Sequence, residues 1–120
     1  MNKEKKRNQE NDINLMDVVP VTIVESVTTD DGLVTLLRPK FRNKFLKTYL
    51  LPRMKNPNYK INLDEFGSFV WQQCDGERTV LNIAEELKTQ FGEKIEPVYE
   101  RLGIFIRQLE SNKLIRYEYI

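Results

Sequence analysis

Histidine is absent from the 120-residue chain and cysteine occurs once. Those two absences exclude a Ser-His or Cys-His nucleophilic pair, a His general acid or base, a Cys/His zinc cage and an intrachain disulfide. The chain also lacks GxGxxG, a phosphate loop, a GxSxG elbow and the spacing of a calcium loop. Carboxylate chemistry is what remains, and the acids fall mostly on the outer faces of the expected helices, where solvation is their ordinary role. No apolar run approaches the roughly 18–20 residues of a transmembrane helix. The longest, Val18 to Val24, is interrupted by Pro20 and Thr22, and the polar start Met1 to Asn14 lacks the apolar core of a signal peptide. The expectation is a cytoplasmic protein with no metal, no cofactor and no catalytic residues. Cys74 follows Phe69-Val70-Trp71-Gln72-Gln73, so it reads as a small buried hydrophobe rather than a reactive thiol.

What is present fits one globular domain: 120 residues, 40% hydrophobic and 31% charged. The net charge of +1 hides an uneven distribution. Residues 38–60 carry eight bases and no acid, whereas the flanking segments are both net acidic. The bases are Arg38, Lys40, Arg42, Lys44, Lys47, Arg53, Lys55 and Lys60, interleaved with Phe41, Phe45, Tyr49 and Leu50. Such a block can hold an anionic surface, with Arg42, Lys44, Lys47 and Arg53 as the candidate contacts. Its plainer role is to keep a sheet edge from pairing with strangers.

Residues 1–14 contain too little apolar surface to order themselves and are expected to form a polar tail ahead of a single domain over 15–120. From Val18 to Thr29 the chain is rich in β-branched residues. Asp30-Asp31-Gly32 and a second run, Leu33 to Leu37, follow. Asp-Gly between two such runs predicts a β-hairpin, closed by Pro39. Phe41, Phe45 and Tyr49 recur at four-residue spacing and suggest a short basic helix over Phe41–Leu51 within an insert at 40–55. Tyr59 to Asn62 alternates large and polar residues, as a third strand would.

The helical half is clearer. Leu63, Phe66, Val70 and Cys74 share one face of a first helix, started by Asn62 with Glu65 or by Asp64 alone and ended by Asp75-Gly76. Thr79 caps a second helix bearing Val80, Ile83, Ala84, Leu87 and Phe91, stopped by Gly92. Pro97 opens a third, with the stripe Val98, Leu102, Phe105, Ile106 and Leu109, and Leu114 to Tyr119 suggests a terminal strand. Gly67, about 1 kcal/mol worse than Ala inside a helix, implies close packing, expected beside Trp71 one turn later. Strands followed by three helices, two of them joined by a short turn, predict an α+β winged helix-turn-helix.

The stretch Tyr59 to Ile115 resembles the PqqD-like family, named for pyrroloquinoline quinone biosynthesis protein D and also called RiPP recognition elements. The resemblance is carried by Ile61-Asn62-Leu63-Asp64-Glu65-Phe66-Gly67, Val70-Trp71, Asp75-Gly76, Thr79-Val80-x-x-Ile83-Ala84, Leu87, Phe91-Gly92, Pro97-Val98 and Leu109-x-x-x-x-Leu114-Ile115. It implies a three-stranded antiparallel sheet followed by three helices. The implied task is binding the leader segment of a precursor peptide and presenting it to a maturation enzyme, one of radical chemistry among the candidates. The peptide would extend the sheet at Tyr59, Lys60, Ile61 and Asn62, beside a groove wall of Tyr99, Gly103, Ile106 and Arg107 on the third helix. Gly103 would leave space for a backbone, and Lys60 and Arg107 would attract acidic residues.

Three functions therefore compete: peptide recognition, nucleic-acid binding through a winged helix, and peripheral attachment to an anionic membrane or protein through the basic segment. Nucleic acid ranks behind peptide because the third helix sets Glu96, Glu100 and Glu110 against only Arg101 and Arg107.

Overall fold

A computed structural model describes residues 14–40, Arg53, Lys55 and residues 58–118. The basic helix expected over Phe41–Leu51 and the tail expected over residues 1–14 lie outside the described residues, except for Asn14, which caps a short 3-10 turn with its side-chain oxygen accepting from Met16 N–H at 3.0 Å.

The β-branched run does not form one strand. It yields β1 (Val19–Thr22) and β2 (Glu25–Thr28), which belong to different sheets. β2 turns through Asp30-Asp31-Gly32 into β3 (Val34–Pro39), with Gly32 at φ 85° and Thr29 N–H donating to the Leu33 carbonyl at 2.8 Å. β4 (Asn58–Asn62) then pairs with β3, giving an antiparallel sheet in the order β2-β3-β4. β1 pairs instead with β5 (Ile115–Glu118), Val19 opposite Glu118 and Thr22 opposite Ile115. The break at Ile23-Val24 carries neither glycine nor proline, so nothing local announces that the chain changes partner there.

Three helices follow the sheet, α1 (Glu65–Gln73), α2 (Val80–Phe91) and α3 (Val98–Ser111), so the α+β class and the three-strand, three-helix plan are those predicted. The plan is compatible with a winged helix. Asp64 alone caps α1, its carboxylate accepting from Gly67 N–H at 2.7 Å. Thr79 caps α2 in a reciprocal box completed by Asn82. Pro97 is the N-cap of α3 rather than its first residue.

The apolar stripes converge on one core. Leu36, Val70, Val80, Ile83, Leu87, Val98, Leu102 and Ile106 are all fully buried, and Trp71 is nearly so. Trp71 donates its indole N–H to the Ser26 hydroxyl of β2 at 3.2 Å, which ties α1 to the sheet. Ser68 adds a second tie, its hydroxyl accepting from Val34 N–H at 2.8 Å and donating to the Leu63 carbonyl at 3.3 Å. Gly67 is indeed a close-packing position, but against α3 rather than Trp71. A Cβ there would lie 3.2 Å from the Phe105 ring and 3.2 Å from the capping carboxylate of Asp64.

Cys74 is buried at the end of α1, and burial, with Asp75 adjacent, pushes its thiol up to about 12. A neutral thiol in a dry site is unreactive. The native protein at pH 8 should therefore resist a thiol-exchange reagent until denaturant opens it, and thermal melts with and without chelator and reductant should superimpose. Fast labelling of the native state, or a chelator-induced loss of stability, would contradict this.

Candidate functional site

β4 has a hydrogen-bonded neighbour on one side only: among the described residues it pairs with β3, and its other edge is unpaired. The register decides which backbone groups that edge offers. Leu63, just past the strand, donates its N–H to the Val34 carbonyl at 2.9 Å, and alternation along an antiparallel ladder places Ile61 and Tyr59 in the same inward-bonded set. The N–H and C=O groups of Asn58, Lys60 and Asn62 therefore point away from β3. Their side chains lie on the solvent face, where the Thr35 hydroxyl and the Asn62 side-chain oxygen meet at 2.9 Å.

Tyr59 and Ile61 occupy the opposite face. Ile61 stands beside the buried Leu36 and Tyr59 beside Arg38. On this face an open depression of about 430 Å³ is lined, among the described residues, by Arg38, Pro39, Lys40, Tyr59 and Ile61. Tyr59 is 58% exposed, and the Lys40 ammonium lies 5.5 Å from its ring centroid. The site thus combines outward-facing backbone groups, a half-open apolar recess and positive charge without an ion pair among the described residues. The described ion pairs are elsewhere, Arg78 with Asp75 and Arg116 with Glu118.

The four candidate residues on β4 come together as one continuous edge. The four on α3 do not form one exposed wall. Ile106 is fully buried in the core. Gly103 is buried too, and the space above it is taken by this chain's own Leu15, which a Cβ at Gly103 would meet at 3.7 Å. Tyr99 and Arg107 do reach the surface, on the flank of α3 where Tyr99 meets Lys88 of α2, hydroxyl to ammonium at 2.8 Å. That hydroxyl is also the main reason the Lys88 ammonium is held above its ordinary pKa.

The opposite flank of α3 is the one that approaches the end of β4. Phe105 reaches over Gly67 beside Leu63 and meets the Phe66 ring at a tilt of 55°, the centroids 5.5 Å apart. The Arg101 guanidinium lies 5.2 Å from the Phe66 ring centroid while donating to the Lys94 carbonyl at 3.0 Å. The helical period marks Phe105 only as core, and no local signal in the sequence reveals that it reaches across to Leu63, the residue that follows β4. Of the basic candidates, Arg53 is exposed, whereas Arg42, Lys44 and Lys47 lie outside the described residues.

No helix among the described residues is long and apolar enough to cross a membrane, and no group of three or more His, Cys, Asp or Glu there could hold a metal. No solved structure matches the chain. Among curated proteins, a "PqqA binding protein" from Rahnella aquatilis is 29% identical over 91 residues, a span of 76% of this chain and 95% of the relative. The family model described as "Coenzyme PQQ synthesis protein D (PqqD)" matches residues 54–115. That match takes in β4, all three helices and the start of β5, more than half of the chain, and it places the protein in the PqqD family.

Proposed function

We propose that this protein is a non-catalytic carrier for a precursor peptide: it takes the leader segment as an additional strand on β4 and presents the peptide to a modifying enzyme in the cytoplasm. The observation that carries the reading is the β4 edge, unpaired among the described residues, with the backbone groups of Asn58, Lys60 and Asn62 turned outward beside an open recess. Main-chain hydrogen bonds would supply affinity, and the side-chain recess would supply selectivity. The curated relative supports the nature of the ligand, since it is named as a binder of PqqA. Tyr59, Lys60, Ile61 and Asn62 form the receiving strand in this reading. Phe105 borders its far end, and Tyr99 and Arg107 are left to a second surface on α3.

Amide hydrogen exchange during titration with a synthetic PqqA-type precursor peptide tests the proposal. The Lys60 and Asn62 amides should exchange quickly in the free protein and slow markedly when peptide is bound. The Ile61 amide, already bonded to β3, should change little. Saturable binding that leaves Lys60 and Asn62 unprotected would move the site elsewhere. Absence of peptide binding, with salt-steep duplex or anionic-vesicle binding that disappears when Lys44, Lys47 and Arg53 are neutralised, would overturn the proposal in favour of the basic segment.

A further inference from the structure

We infer that the strand received by β4 carries an acidic residue facing Lys60 and, next to it in sequence, an apolar residue facing Ile61. The inference rests on the strand-addition reading and extends it to the chemistry of the ligand. The register sorts the sheet into cross-strand rows. On the solvent face Glu25, Leu37 and Lys60 form one row, so Lys60 has an aliphatic side chain on its inner side and Glu25 two strands away, roughly 10 Å at the usual strand spacing. A residue on an incoming strand would sit about 5 Å from Lys60, half the distance to Glu25.

The surroundings reinforce that preference. No acid occurs anywhere in residues 38–60, the segment to which this edge belongs. On the helix face the row is Ser26, Leu36 and Ile61, and Leu36 is fully buried. The next side chain in that row would continue the apolar surface over the recess. Side chains alternate along a strand, so the acidic and apolar requirements fall on adjacent residues of the ligand. A second copy of this chain is the occupant that the same lysine disfavours, because two β4 edges related by a two-fold axis through that position would bring Lys60 against Lys60.

Selection from an unbiased library of short phage-displayed peptides, run in parallel on the full chain and on its Lys60→Glu variant, tests this. Peptides selected on the unaltered protein should be enriched in Asp or Glu adjacent to an apolar residue, and each winner should bind roughly two- to fivefold more tightly than its amide counterpart. On Lys60→Glu the preferred charge at that position should invert to Lys or Arg. If the winners require the strand edge, being lost on Lys60→Pro, yet show no charge preference that inverts, the inference is wrong and strand addition stands. If the winners bind Lys60→Pro as well as the unaltered protein, or if nothing is enriched, strand addition falls and the inference with it. Concentration-dependent protection of the Lys60 and Asn62 amides without any peptide would identify a second copy as the occupant and overturn the inference.

Discussion

Replacing Leu87 by alanine should destabilise the protein by about 2–5 kcal/mol, one of the largest losses available to a single substitution here. Leu87 is fully exposed to the core and not at all to solvent, on the α2 face shared with Val80, Ile83 and Ala84. Truncation removes the transfer free energy of the lost carbons and leaves a cavity that rigid neighbours on several elements cannot collapse to fill. For a domain of about 100 residues the melting temperature should fall by at least roughly 8 °C. Leu81, on the same helix but 38% exposed, provides the comparison, and its change to alanine should stay near 0.5 kcal/mol. Equal denaturant midpoints for the two variants would show that the α2 face has been misassigned.

The second large effect is on binding and separates two adjacent positions of β4. The Lys60 N–H points to the open edge, so Lys60→Pro deletes a donor offered to the ligand while sparing the bonds to β3. Proline is tolerated in sheets at such edge sites. Circular dichroism and thermal stability should remain close to those of the unaltered protein, while peptide affinity falls at least tenfold. The Ile61 N–H faces β3, so Ile61→Pro breaks the ladder within the sheet and removes a side chain set beside Leu36. It should lower stability and binding together. If Lys60→Pro binds peptide normally, β4 does not receive a strand. If Ile61→Pro proves as stable as Lys60→Pro, the inward and outward sets have been exchanged.

How much of this could be read beforehand depends on how local each signal is. The helices were legible because cap, period and stop all lie within one segment, as Thr79, the stripe Val80 to Phe91 and Gly92 illustrate. The edge residues were legible through the family resemblance, as a segment but not as alternating roles. The outward set follows only from the register with β3, fixed by contacts about 25 residues apart in sequence. The partition of Val18 to Thr29 between two sheets was invisible for the same reason, since β1 finds its partner at the far end of the chain. Gly67 announced close packing, yet its neighbour Phe105 belongs to another helix. Gly103 looked like open space and is covered by Leu15, a contact no periodicity encodes.

The pairing of β1 also bears on where the module can be divided. One side of β1 is joined to β5. The other is joined to the α1–α2 connection, with Thr22 N–H donating to the Cys74 carbonyl at 3.3 Å and Gly76 N–H to the Pro20 carbonyl at 3.0 Å. Val80 N–H closes the same seam by donating to the Val18 carbonyl at 3.0 Å. The family match begins only at residue 54, yet Val18, Val19, Val34 and Leu36 of the core all precede it. A gene fusion or a dissection that kept just the matched segment would carry β4 and the helices without the strand they are sewn to. The heritable unit of recognition is therefore longer than its signature, and any exchange of such modules between biosynthetic systems has to cut ahead of β1 to transfer a working one.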